Sequence, residues 1–208
     1  LERQERMGTM GIKETIPGNS KIEYELKSQG GAAMIDFKTS ETAKNLMRAF
    51  AGESQARNRY TFAAGLAHKQ KMPALEQIFK YTADQEQEHA EIFYDFLKSL
   101  DTETIFIDGG YPVDLEENTL AQLRAAAHNE YEEADVVYQS FGDVAEKEGF
   151  PKIAAAFRMI AEIEKTHGNS FKHLADLLGD GKLYARKPKT VWICTNCGYI
   201  YEGMPAPQ

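Results

Sequence analysis

The ten residues Asp84–Phe93, DQEQEHAEIF, put a glutamate and, three residues later, a histidine on the helix face that their neighbours give to the core. On either side, Leu75, Phe79, Thr82, Ala90, Phe93, Phe96, Leu97 and Leu100 recur every three to four residues, the period of one face of an α-helix. Glu86 and His89 fall on that stripe. An ionised carboxylate costs several kcal/mol to bury unless an opposite charge meets it. The stretch therefore predicts a cation inside the fold.

The same interruption occurs three more times. Thr39 or Ser40 is a candidate N-cap for a first helix whose stripe runs Leu46, Phe50, Glu53, Tyr60, Ala64 and Ala67, until KQKMP ends it. Pro73 suits the first turn of the second helix, which reaches to about Leu100. A third helix starts at Asn118 or Thr119 and shows Leu120, Leu123, Ala127, Glu130, Ala134, Val137, Phe141 and Val144 on one face. Gly149 interrupts it, and Pro151 opens a fourth with Ile153, Phe157, Ile160, Glu164, His167, Phe171, Leu174 and Leu178, closed by Gly179 and Gly181. Between the second and third helices, DTETIFIDGGYPVDLEEN (101–118) is too long for a tight helix hairpin. A crossover of that length lets the next helix run parallel to the last, and the predicted fold is an all-α four-helix bundle.

Composition narrows the function. A net charge of -8 without a basic face argues against nucleic acid. No apolar run approaches the roughly 20 residues of a membrane span, and LERQERMGTM has no signal-peptide core, so the expected location is cytoplasmic. Residues 1–38 form a polar, Gly-punctuated extension in which KIEYELK reads as a short strand without assignable chemistry. Residues 39–180 hold the helices, and 181–208 read as a linker followed by a very small β domain. Both cysteines, Cys194 and Cys197, lie there in WICTNCGY, and a C-x-x-C pair in an intracellular chain is more often a metal or redox element than a structural disulfide.

Each helical stripe is thus broken near its middle by an acid: Glu53, Glu86, Glu130 and Glu164. Two of these carry a histidine one turn on, as Glu86-x-x-His89 and Glu164-x-x-His167, and an i, i+3 pair projects from a single face. Glu53 and Glu86 are 33 residues apart, Glu130 and Glu164 are 34 apart, so two similar helix pairs build a pseudo-twofold site. One Glu and one Glu-x-x-His from each half is the ligand set of a di-iron or di-manganese carboxylate bundle. Oxygen and imidazole donors suit either metal, and two divalent ions neutralise four carboxylates. A single such pair reads equally as a solvated face, and one interior acid could instead pair with Arg57, Arg124 or Arg158. Four breaks at matched depth and spacing are much harder to reach by accident.

AFAGESQARNRY (49–60), DQEQEHAEIFYDFL, NEYEEADVVYQSF and EIEKTHGNSF resemble the rubrerythrin family, and WICTNCGYIYEG is similar to the first knuckle of its rubredoxin domain. The resemblance implies a ferritin-like bundle that reduces hydrogen peroxide to water. Electrons would pass from NAD(P)H through a reductase to a rubredoxin-type iron and on to a carboxylate-bridged di-iron pair. It also implies residue roles: Glu53 and His89 on the first iron, Glu130 and His167 on the second, Glu86 and Glu164 bridging. Glu133 matches a further family acid, absent from ferritins, that exchanges with His89 as the redox state changes; by itself it reads as a solvated member of the acidic run EYEEAD. Tyr60 and Tyr138 match tyrosines near the site, where a phenol holds a ligand carboxylate in place, though either could equally be a packed core residue. A homodimer or higher homo-oligomer is implied as well. A rubredoxin iron needs four cysteine thiolates and Cys194 and Cys197 supply two, so a second C-x-x-C is expected immediately after Gln208. The rival expectations are a ferroxidase or iron-storage bundle, and a non-catalytic bundle with internal ion pairs.

Overall fold

The computed structural model describes residues 35–185, 190–194 and 198–204. The expected strand KIEYELK, most of the 1–38 extension and Cys197 lie outside the described residues.

Among the described residues, five α-helical stretches make a four-helix bundle. Helix α1 (Glu41–Lys69) starts at Ser40, whose Oγ accepts from the Ala43 amide at 3.0 Å, which settles the N-cap on Ser40 over Thr39. Four residues after Lys69, Pro73 opens α2 (Pro73–Phe96), which ends four residues before the expected Leu100 as the chain tightens into a 3₁₀ turn at Lys98–Leu100. After the crossover, Asn118 Oδ1 accepts from the Ala121 amide at 2.9 Å and starts α3 (Thr119–Glu132). A π turn (Glu133–Val137) links α3 to α4 (Tyr138–Glu148) without a break in the axis. Gly149, at φ 89°, closes α4 in the left-handed conformation that glycine adopts without a Cβ penalty. Pro151 then starts α5 (Pro151–Gly179).

Helix α1 packs mainly on α2, and α3 with α4 packs on α5, which reproduces the two helix pairs read from the spacing. Each stripe is apolar at both ends and acidic in the middle, so the core divides. One cluster gathers Tyr60, Leu75, Phe79, Leu123 and Phe171; the other gathers Leu46, Phe93, Tyr138, Phe157 and Ile160. The Phe rings meet across helices, Phe79 stacked on Phe171 at 5.4 Å and Phe93 tilted against Phe157 at 5.0 Å. Burying each aromatic contributes about 1.5–3 kcal/mol, which offsets the cost of the polar layer between the clusters.

The π turn corrects one part of the sequence reading. The expected face after Ala134 was Val137, Phe141 and Val144; the buried positions are Tyr138, Gly142 and Ala145. A π turn holds one residue more than an α turn, so everything after it slips by one position on the face.

The crossover is pinned to the bundle by charge. Arg48 Nη2 donates to Asp108 Oδ1 at 2.7 Å, and the Tyr111 hydroxyl donates to the Arg48 carbonyl at 2.9 Å. Further along, Asp114 Oδ2 accepts from Arg59 Nη1 at 2.8 Å and from Asn129 Nδ2 at 2.6 Å, tying the loop to α1 and α3. At the C-terminal end, β1 (Thr190–Ile193) and β2 (Ile200–Gly203) form an antiparallel hairpin with Trp192 opposite Tyr201.

Candidate metal centre

The four acids converge in the layer between the apolar clusters, all at most 1% exposed. Glu53 comes from α1, Glu86 from α2, Glu130 from α3 and Glu164 from α5. Side-chain atoms of Glu53, Glu86, His89 and Glu164 all lie within 4.8 Å of one another, and so do those of Glu86, Glu130, Glu164 and His167. The two sets share Glu86 and Glu164. His89 Nδ1 is 2.7 Å from Glu164 and 3.1 Å from Glu86; His167 Nδ1 is 2.8 Å from Glu164 and 3.3 Å from Glu86. The imidazole rings face each other at 5.8 Å.

Tyrosines hold the outer two acids. The Tyr60 hydroxyl donates to Glu130 Oε1, and the Tyr138 hydroxyl donates to Glu53 Oε1. Burial and the neighbouring carboxylates push both phenols well above their ordinary pKa, so they remain donors at any pH the fold meets. Because the π turn moves Tyr138 onto the inner face, it is also what brings this phenol to Glu53.

The cluster is electrostatically unbalanced. Burial first, then Glu164 and Glu86, raises Glu53 well above the ordinary carboxylate range; burial, Glu86 and Glu164 do the same to Glu130. Burial also opposes charge on Glu164 and the histidines. There, hydrogen bonds with His167 and His89 outweigh it and hold Glu164 at about 2, while carboxylate partners raise His89 to about 9 and His167 to about 12. Among the described residues, no arginine or lysine lies within ion-pair distance of the four acids, and Arg57, Arg124 and Arg158 do not reach them. Arg158 pairs instead with Asp143 and Glu146 at the surface. Two imidazolium ions cannot balance four carboxylates, and Glu53 and Glu130 are driven toward the neutral form instead.

These residues fit a metal pair. Each acid keeps one buried oxygen with no well-oriented hydrogen bond, Glu53 Oε2, Glu86 Oε1, Glu130 Oε2 and Glu164 Oε1, and the donors nearby are the histidine Nδ1 atoms, 2.7 Å from Glu164 Oε1 and 3.3 Å from Glu86 Oε1. Unpartnered buried oxygens are costly unless a cation takes their lone pairs. The donor set is oxygen and imidazole nitrogen, which suits iron or manganese.

Glu133, at the head of the π turn, belongs to neither set of four. It is half-buried and lines a cleft of about 760 Å³ between α1, the crossover and α4. Burial, Glu164 and Glu86 raise its carboxyl to about 8. Cys194 is exposed in the hairpin loop, where its amide donates to the Tyr199 carbonyl at 2.8 Å and its carbonyl accepts from the Gly198 amide at 2.9 Å.

Sequence reasoning missed Arg59 and Asp114. The Arg59 guanidinium sits 5.6 Å from the Tyr60 ring centre while its Nε donates to Gln55 Oε1 at 2.7 Å. Arg59 is four residues from Gln55 on α1, a readable spacing, but its Asp114 partner in the crossover leaves no periodic trace.

The profile of the Rubrerythrin family matches residues 44–175. The rubrerythrin of Clostridium perfringens (strain 13 / Type A) is 47% identical over 175 residues, 84% of this chain and 90% of that protein. The rubrerythrin of Nitratidesulfovibrio vulgaris (strain Hildenborough) is 41% identical over 175 residues with the same coverage of both chains. Among solved structures, fully reduced, all-ferrous nigerythrin matches with a TM-score of 0.59 at 23% identity, over 86% of this chain and 81% of that one. Dithionite-reduced symerythrin from Cyanophora paradoxa matches with a TM-score of 0.57 at 19% identity, over 66% and 84%. At those identities the structural likeness speaks for the ferritin-like fold alone. The profile covers the whole acid and histidine constellation, and relatives above 40% identity run along most of their own length, so the chain belongs to the rubrerythrin family.

Proposed function

We propose that this protein is a non-haem di-iron peroxidase that reduces hydrogen peroxide to water in defence against oxidative stress. The observation that carries the reading is the pair of four-residue sets sharing Glu86 and Glu164. In that assignment Glu53 and His89 would hold one iron and Glu130 and His167 the other, with Glu86 and Glu164 available to both. When bound, a ferrous pair supplies two electrons together, which is what conversion of one peroxide and two protons to two waters consumes.

The chain's own residues set the stage for that chemistry. Tyr60 and Tyr138 orient Glu130 and Glu53 by hydrogen bonds that use one oxygen and leave the other for a cation. Glu133 lines the cleft and lies within the field of the cluster, so its carboxyl is placed to pass a proton to a departing oxygen. With a ferric pair bound, an ionised Glu133 would supply one anion more than His89 can, which is the charge argument for the proposed exchange between these two residues.

Electrons are proposed to arrive from NAD(P)H by way of a reductase and a rubredoxin-type iron to which Cys194 and Cys197 would supply two of the four thiolates, in a cytoplasmic homodimer or higher homo-oligomer. Support for the cysteine site is the pair of hydrogen bonds that Cys194 makes with Gly198 and Tyr199 and the C-x-x-C spacing. No described helix is long and apolar enough to cross a membrane.

The test is stopped-flow mixing of the diferrous protein with peroxide and, separately, with oxygen. Peroxide is expected to react faster; a faster reaction with oxygen would favour ferroxidase or iron-storage chemistry. Glu133→Ala is expected to keep both irons and slow peroxide turnover, whereas Glu164→Ala loses metal. Unchanged peroxide kinetics in iron-replete Glu133→Ala would refute the role given to Glu133.

A further inference from the structure

The cleft beside Glu133 is out of proportion to hydrogen peroxide. Its volume is about 760 Å³, whereas a water-sized molecule occupies about 30 Å³. Clefts of that size, with mostly apolar walls and a few convergent polar groups, are the usual form of sites for organic ligands. Here Tyr138 and Glu133 link the lining to the acid cluster, Val136, Val137, Phe141 and the Tyr111 ring supply apolar wall, and Arg48, Asp108, Asn129, Glu132 and Ser140 add polar groups around it.

The wall is built, not left over. Tyr111 is held over α1 by its bond to the Arg48 carbonyl, and a Cβ on Gly52 would meet Tyr111 Cε1 at 3.6 Å. The opposite side is the π turn, whose extra residue puts Val136 and Val137 along the cleft while Tyr138 turns inward. At the mouth, Arg48 already serves Asp108, Glu41 and Asn45, so no spare cation waits for a charged tail.

From this arrangement, and resting on the peroxidase reading above, we infer that the site also reduces organic hydroperoxides whose neutral alkyl or aryl group lies against Val136, Val137 and Phe141 while the hydroperoxyl end meets Glu133. The reaction is ROOH + 2 electrons + 2 protons → ROH + H₂O. The O–O bond breaks, each oxygen leaves bound to carbon or hydrogen, and the electrons come from two ferrous ions that each lose one. Re-reduction uses the same one-electron donor as hydrogen peroxide turnover.

The experiment uses the full chain and two probes, cumene hydroperoxide and its unreactive product 2-phenyl-2-propanol. Binding of the alcohol is followed by methyl and aromatic NMR shifts in the metal-free protein, and turnover of both peroxides is measured on the iron-loaded protein. Val136 is 55% exposed, so Val136→Trp fills the cleft without displacing the core. The expected result is saturable alcohol binding in wild type, weakened in Val136→Trp. The ratio of kcat/KM for cumene hydroperoxide to that for hydrogen peroxide is expected to fall at least about tenfold, the scale on which apolar pocket contacts discriminate. Ser140→Trp, from the α4 side of the same cleft, is expected to act alike and guards against a folding defect in the first variant. Hydrogen peroxide turnover with no alcohol binding and no cumene hydroperoxide turnover overturns this inference and leaves the peroxidase reading standing. Alcohol binding with neither peroxide reduced overturns the peroxidase reading and the substrate assignment with it.

Discussion

Replacing Glu133 by glutamine should make the metal-free protein more stable, and increasingly so as pH rises. The Glu133 carboxyl moves from 4.5 to about 8 in the fold, raised by burial and by Glu164 and Glu86. Between those values the folded chain keeps a proton that the unfolded chain has released, so stability falls with rising pH, by at most about 1.4 kcal/mol per unit. The penalty is absent below the unfolded value, grows through the neutral range and levels off above about 8. Integrated to pH 7 it comes to about 3 kcal/mol, and the partial exposure of Glu133 to the cleft trims it to about 1–3 kcal/mol. Glutamine keeps the shape and has no proton to lose. Urea unfolding of metal-free wild type and Glu133→Gln, followed by circular dichroism from pH 5 to pH 8, should show a gap under about 1 kcal/mol at pH 5 that widens to that range by pH 7. Ferrous or manganous ion should stabilise both proteins and close much of the gap, because bound cations favour the ionised carboxylate. A gap that stays constant across this pH range would refute the placement of Glu133 within the field of the cluster.

Three further outcomes follow from named contacts. Tyr138→Phe removes the donor to Glu53, and a hydrogen bond to a charged group contributes about 1.5–3 kcal/mol, so metal affinity measured against a competing chelator should fall about tenfold or more. Glu148 caps α1 from the end of α4, accepting from the amides of Glu41 and Thr42 at 3.1 and 2.8 Å. Its loss in Glu148→Ala should cost about 2 kcal/mol and lower Tm by roughly 4–8 °C, with metal content unchanged. In Gly168→Ala the new methyl would meet Tyr131 Cε1 at 2.9 Å and Glu130 Cβ at 3.3 Å, pressing α3 away from α5 beside a proposed ligand. About 1–3 kcal/mol of destabilisation is expected, together with weaker binding of one metal equivalent, read by calorimetry.

Much of this architecture is written in periodicity. The stripes of α1, α2 and α5 carry their acids and histidines at helical spacing, and a buried acid among Leu, Phe and Ala is conspicuous because it is costly. The residues after Ala134 were legible only in part. Val137, Phe141 and Val144 continue an α-helical stripe, and Tyr138, Gly142 and Ala145 continue one that has slipped by a residue; backbone geometry decides between them. Side-chain pairs that reach from the crossover, such as Asp108 with Arg48 and Asp114 with Arg59, join residues 60 and 55 positions apart and follow no period at all.

The π turn has a consequence for direction. A doubled fold with equal halves would offer solvent two equivalent faces of its centre. One added residue in the second half opens the cleft, carries Glu133 to its inner end and swings Tyr138 onto Glu53, all on one flank. Tyr138 both lines this cleft and donates to Glu53, so the path leads toward the Glu53 and His89 set and not evenly to both.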